Sequence, residues 1–285
     1  MRIFRTTFLL VALTLLLMFI GGLLGGRHGM TIALGIAIVT NAAAYFFSDK
    51  IALSSSGAQP VTREQLPRLY AVMERLAAKS HIPVPKLYVI PEEAPNAFAT
   101  GRNPHHASVA VTEGLLQLMN DDELEGVIAH ELSHVRNYDI LISSIAATLA
   151  GAITWVAHWG PWLGMGDEDD RERGGGNAIV ALALMILAPL AALLLQLALS
   201  QQREYSADAT GARMVGNPYG LMSALQKLGA YNNRIPTTSI SPSTSSLCIV
   251  KPLFGRGGFS ALFSTHPPLE SRIEALREMT IVPER

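Results

Sequence analysis

Four stretches without a charged side chain constrain what this chain can fold into. They run over residues 6–26, 29–48, 140–166 and 177–202, which is 21, 20, 27 and 26 residues. About 20 apolar residues in a helix cross the hydrocarbon core of a bilayer, so each is long enough to span one. Charged residues are only 16% of the chain and hydrophobic residues 49%. A soluble domain carries about 25% charge. The first stretch follows Arg2 and Arg5, as a secretory signal would. Its apolar run exceeds the roughly 7–15 residues of a signal core, and it shows no small-x-small cleavage site. It therefore reads as one arm of a hairpin that turns at 27–29. The net charge of -1 excludes the electrostatic footprint of a nucleic-acid binder. A single cysteine, Cys248, excludes an intramolecular disulfide.

Between and after these stretches the chain has the pattern of a soluble domain. Leu66, Leu69, Tyr70, Met73, Leu76 and Ala77 recur at helical spacing, which predicts a helix over 62–79. Residues 86–90 and 108–112 read as short strands, and 96–101 as an edge strand. Asn120 followed by Glu123 forms a capping-box pattern that opens the next helix. Helices are also expected from 217–218 to about 229 and from Pro268 to about 279. Residues 234–258, rich in Ser, Thr, Pro and Gly, read as a loop or lid. His105 and His106 are adjacent, so they cannot share a ligand position on a strand, and they read as a turn.

The helix opened by Asn120 carries His130-Glu131-Leu132-Ser133-His134. Histidines four apart lie on one helix face, so both imidazoles can reach one metal ion, and Glu131 can aim its carboxylate at a water on that ion. A catalytic zinc site needs a third protein ligand. Glu204 is the best candidate. It lies on a predicted helix one turn before Asp208, so one face offers a ligand and a supporting carboxylate. Asp208 is expected to hold a ligand imidazole, His130 first, and Asp139 to do the same for His134.

If Glu204 meets the metal of His130 and His134, the interval between them crosses the membrane an even number of times. The two stretches 140–166 and 177–202 satisfy this. Basic residues near the span ends number seven on the catalytic side (Arg2, Arg5, Lys50, Arg63, Arg136, Arg203, Arg213) and three on the other (Arg27, Arg171, Arg173). This bias places both termini and the catalytic parts in the cytoplasm. Five residues separate His134 from the third stretch and one separates the fourth from Glu204, so the metal is expected near the membrane surface.

With Glu204-Tyr-Ser-Ala-Asp208 beyond the apolar interval, the chain resembles the M48 (Ste24/HtpX-like) membrane zinc metallopeptidases, a gluzincin group. The resemblance also rests on Asn96-Ala-Phe-Ala-Thr-Gly101, on Thr265-His-Pro-Pro-Leu269 and on Arg272-Ile-Glu-Ala-Leu276. It implies one Zn2+ per chain on His130, His134 and Glu204, with Glu131 as general base. It further implies that Asn96, Ala97, Phe98 and Ala99 form an edge that pairs with substrate main chain, which tolerates varied side chains. His266 falls in a segment near the site, where it could steady an oxyanion or gate the metal. The implied partners are polypeptide substrates, above all damaged membrane proteins, and the lipid bilayer of a bacterial inner membrane.

The expected fold class is a mainly α integral membrane protein with a small β-sheet. A zincin-like domain is assembled from 54–139 and 203–285, with transmembrane hairpins at 1–53 and 140–202. Two alternatives compete with a general endopeptidase. A processing peptidase for prenylated C-termini is disfavoured by only four spans. A non-catalytic zinc scaffold has no need of Glu131.

Overall fold

The structure is a computed structural model that describes residues 2–148, 201–232, 234, 237, 240, 244–250 and 267–280. It is mainly helical with one small sheet. The third and fourth apolar stretches lie largely outside the described residues, and His266 lies outside them entirely.

Helix α1 (Arg2–Ser55) is bent into two arms at Gly25 and Gly26. Gly26 has φ of 57°, a left-handed conformation that glycine adopts without a Cβ clash. The arms fold back on each other. Asn41 Nδ2 donates to Leu10 O at 3.2 Å and to Thr14 Oγ1 at 2.9 Å. The turn therefore falls a little earlier than the charged Arg27 suggests, because the bend needs glycine dihedrals more than it needs polarity. Among the described residues, Gly25–Ser55 is the one helix long and apolar enough to cross a membrane. Its exposed Ile32, Ile36, Ile38 and Val39 fit a lipid-facing surface.

The soluble part begins with β1 (Gln59–Pro60) and α2 (Pro67–Lys79). Residues 62–66 are a turn rather than helix. Pro67 occupies the first turn of α2, where its missing N–H costs nothing. Strands β2 (Lys86–Ile90), β3 (Ala97–Gly101) and β4 (Ala107–Thr112) complete a sheet of order β1-β2-β4-β3. β2 and β4 are parallel, and β3 runs antiparallel to β4 at the edge. His105 and His106 sit in the 3-10 turn that joins β3 to β4.

Helices α3 (Glu113–Leu118) and α4 (Asp121–Arg136) follow. After Asn137 and Tyr138 comes a short apolar helix, α5 (Asp139–Thr148). Beyond the undescribed interval are α6 (Gln201–Val215), α7 (Tyr219–Asn232) and α8 (Leu269–Arg277). The main core lies between α2, the sheet and α4, α6 and α7, around Leu76, Val109, Val127, Ile128 and Leu132. A second core ties the end of α1, through Ala52 and Leu53, to Ile90, Phe98 and Ala110 of the sheet. The N-terminal hairpin is thus joined to the strand that borders the candidate site.

Helix α4 is the axis of this arrangement. Asn120 Oδ1 accepts from Glu123 N and Glu123 Oε2 accepts from Asn120 N, both at 2.9 Å. Glu123 also accepts from Lys227 Nζ at 2.7 Å and from Ser223 Oγ at 2.6 Å, which docks α7 onto the same turn. Burial alone would raise the Glu123 pKa, but Lys227, Ser223 and the Asn120 amide hold it below the usual carboxylate range. Gly126 lets α7 approach closely, since a Cβ there would lie 2.5 Å from Leu221 N.

Replacing Asn120 by Ala should cost about 1 kcal/mol of stability, read from a denaturant midpoint. A depressed carboxylate stabilises the fold above its unfolded pKa and loses that contribution as pH falls through the folded value. Lys227→Gln raises the folded value, so acid unfolding should begin at higher pH than in the wild type. An unchanged acid limb would show that Lys227 contributes nothing.

Candidate metal centre

The motif places His130, Glu131 and His134 on buried turns of α4, and α6 brings Glu204 and Asp208 against them. The helices meet closely because Gly211 of α6 faces the backbone of His130, where a Cβ would lie 3.0 Å from His130 N. Ligand atoms of His130, His134 and Glu204 converge within 4.8 Å of one another. His130 Nε2 is 3.3 Å from His134 Nε2. Each imidazole Nε2 is 3.6 Å from a Glu204 carboxylate oxygen.

These distances fit a cation. Ligands about 2.0–2.1 Å from a tetrahedral centre lie about 3.3–3.4 Å apart, close to the edges observed. Asp208 Oδ1 lies 2.8 Å from His130 Nδ1 and fixes the proton on that nitrogen. The Nε2 lone pair then points at a second imidazole nitrogen and a carboxylate, an arrangement of electron-pair donors that a positive ion relieves. The carboxyl groups of Glu131, Asp139, Glu204 and Asp208 face one guanidinium, that of Arg272, so the cluster favours a cation. The same field acts on His130. Burial opposes protonation, but the Asp208 and Glu204 hydrogen bonds outweigh it and push the imidazole up to about 9.

Glu131 is almost fully buried beside the two histidines, and its Oε2 has no hydrogen-bond partner among the described residues. Its pKa is raised, chiefly by burial, with the neighbouring Glu204 adding to the rise and the imidazoles and the Ala99 backbone opposing it. The residue next to the metal site therefore holds its proton more readily than a surface carboxylate. Asp139 Oδ2 stands 3.5 Å from His134 Nδ1. Asn96, just before β3, and Ala97, Phe98 and Ala99 within it are all buried, with the Ala99 backbone against Glu131.

Two residues named in the sequence, Arg272 and Cys248, take a place at the site that the sequence does not assign them. Arg272 of α8 is fully buried and forks onto Asp208, with Nε to Oδ2 at 2.8 Å and Nη2 to Oδ1 at 2.7 Å. Its Nη1 donates to Ile249 O at 2.8 Å and lies 3.6 Å from Glu204 Oε2. Burial disfavours both charges, but each partner outweighs it, so the Asp208 pKa is lowered and that of Arg272 raised. The available signal was spacing. Leu269, Ile273 and Leu276 put Arg272 on the buried face of its helix, where a charge requires a partner. The second residue is Cys248. It is buried, and both its burial and the negative charge of Glu131 push the thiol above its ordinary range.

The model of peptidase family M48 matches residues 63–280. A protease HtpX homolog of Syntrophobacter fumaroxidans is 51% identical over 97% of this chain and 99% of the relative. One of Desulforapulum autotrophicum is 53% identical over 96% and 88%. One of Pyrococcus furiosus is 50% identical over 97% and 96%. The crystal structure of S. mikatae Ste24p overlays with a TM-score of 0.48 at 18% identity, covering 86% of this chain and 57% of that one, a likeness too slight to argue from.

Arg272→Lys keeps the charge but loses the two-pronged grip on Asp208. Metal affinity should fall roughly 10- to 100-fold, as measured by chelator competition, with secondary structure retained. An unchanged affinity would show that Asp208 needs no brace. On the matched residues and the full-length relatives together, the chain belongs to peptidase family M48.

Proposed function

We propose that this membrane metalloendopeptidase cleaves its substrates at the cluster of His130, His134 and Glu204, with one zinc ion as cofactor and Glu131 as general base. That it is a metal-dependent peptidase follows from the family to which it belongs. The observation that carries the assignment of residues is the convergence of two imidazole nitrogens and a carboxylate with edges of 3.3–3.6 Å. Two nitrogens and one oxygen suit zinc and leave a fourth position open for chemistry.

A bound zinc ion supplies Lewis acidity, which polarises the peptide carbonyl and acidifies water. The remaining work falls to the chain. Glu131 accepts the proton of the attacking water and delivers it to the departing amine. Asp208 keeps the proton on His130 Nδ1 so that Nε2 stays a donor to the metal. Asp139 is proposed for the same task at His134. The edge of β3, from Asn96 to Ala99, is proposed to pair with the substrate main chain beside Glu131. His266 is proposed to act on the oxyanion or as a gate.

The second apolar pair, 140–166 and 177–202, is proposed as a transmembrane hairpin. Helix α5 supports this reading as far as it is described, since it is apolar and follows α4 after only Asn137 and Tyr138. The basic residues near the span ends support cytoplasmic termini and a cytoplasmic site, in a bacterial inner membrane. The chain would then comprise hairpins at 1–53 and 140–202 and a peptidase domain from 54–139 and 203–285. Main-chain pairing without demanding side-chain pockets suits disordered substrates such as damaged membrane proteins.

Glu131→Gln should retain stoichiometric zinc and lose casein cleavage by about 10²-fold or more. Zinc with full activity would remove Glu131 from its role. His130→Ala and Glu204→Ala should each lose zinc and activity, as read by metal analysis of the purified proteins. A Glu204→Ala protein with stoichiometric zinc would require another ligand.

A further inference from the structure

Along an edge strand, alternate residues turn both main-chain groups away from the sheet. In β3 these are Ala97, Ala99 and Gly101, because Asn96 O, on the other side, accepts from Thr112 N at 2.9 Å. Most of this outer edge is already taken. Ala97 N–H donates to Asn96 Oδ1 at 3.0 Å, and Ala97 O accepts from Ile249 N at 3.0 Å. Asn96 Nδ2 donates to Val250 O at 2.9 Å. At the other end, Gly101 N–H donates to Ser144 Oγ at 3.2 Å, and Thr100 Oγ1 lies 2.7 Å from the same hydroxyl. With the Ala99 N–H turned to Glu131, the carbonyls of Ala99 and Gly101 are what is left of this edge among the described residues. A strand advances about 3.4 Å per residue, so this opening is too short to seat an extended peptide.

One cover must therefore yield when substrate binds. Ser144 lies on α5, which follows α4 after only Asn137 and Tyr138. Moving it would pull on the helix that carries His130 and His134. The other cover is better suited to move. Thr244–Leu247 is a single 3-10 turn, and Cys248 to Val250 has no regular structure of its own. It is nonetheless well seated. Leu247, Cys248, Ile249 and Val250 are all buried, and Leu247 and Cys248 pack with Phe98. It meets β3 through one main-chain hydrogen bond, from Ile249 N to Ala97 O.

We propose that Thr244–Val250 is an autoinhibitory strap that occupies the substrate edge of β3 and is displaced when a polypeptide pairs there. The strap meets Ala97 through the Ile249 amide, as an incoming strand would, and it competes for the same hydrogen-bonding groups. Arg272 holds the Ile249 carbonyl while it braces Asp208, so the closed strap shares an anchor with the metal centre. The proposal rests on reading β3 as the substrate edge.

Cys248 is the only cysteine in the chain and is buried in the strap, so its reaction with a maleimide reports displacement directly. The test uses the full-length protein in nanodiscs. Unfolded β-casein should accelerate labelling of the Glu131→Gln protein roughly tenfold or more, and labelling should be slow without it. Casein that binds, by fluorescence anisotropy, but leaves labelling unchanged or slower would overturn the strap and leave the edge reading intact. If the wild type neither cleaves nor binds casein, the edge reading falls and the strap with it. Ile249→Pro removes the amide that meets Ala97 O. It should label about tenfold faster without casein, the worth of about one buried hydrogen bond, and show a lower KM for casein. Ile249→Ser keeps the amide and loosens only the buried side chain, so it decides the matter if the proline variant loses its fold. Faster labelling with an unchanged KM in the folded variant would overturn the proposal.

Discussion

The Arg272–Asp208–His130 chain is the interaction on which the rest of the site depends. Each member is buried, and none would be tolerated there alone. Burying a charge costs several kcal/mol unless it is closely paired. Asp208 is stable because two guanidinium nitrogens hold it at 2.7 and 2.8 Å, and it in turn fixes the tautomer of His130. This links α8, α6 and α4, which lie far apart in sequence, through one row of contacts. It also links them to the Ile249 carbonyl, and so to the segment lying on the edge strand.

Packing makes that row possible. Gly211 lets α6 lie against His130, and Gly126 lets α7 lie against the first half of α4. The capping box at Asn120 and the Lys227 contact to Glu123 hold the start of α4, while its end runs within two residues into the apolar α5. The two candidate ligands His130 and His134 therefore sit on a helix fixed at both ends. Glu204 completes the set from a helix that follows a 26-residue uncharged stretch.

Several elements were legible because a local rule decided them. The Asn120–Glu123 pair marked the start of α4, and the apolar runs marked β2 and β4. The His130–His134 spacing marked the shared face. Errors arose where a neighbour or a backbone angle decided the outcome. The helix predicted from 62 begins at Pro67, since proline suits a first turn better than the polar residues before it. The hairpin bends at Gly25 and Gly26, where glycine dihedrals are available, rather than from Arg27 onward. The motif marks Arg272 but not its task, because its partner Asp208 lies 64 residues away. The Ser- and Thr-rich composition of 234–258 concealed the apolar Leu247–Val250, which packs on β3.

The central claim is that two imidazoles and a carboxylate, with no sulfur, hold a single zinc ion next to Glu131. X-ray absorption at the zinc edge of the purified full-length protein tests it directly. The account predicts a four-coordinate shell of nitrogen and oxygen at about 2.0–2.1 Å, with the outer-shell scattering of two imidazoles. A scatterer at about 2.3 Å would place the Cys248 sulfur on the metal, and a third imidazole would displace Glu204. Either result would contradict the ligand set described for this site.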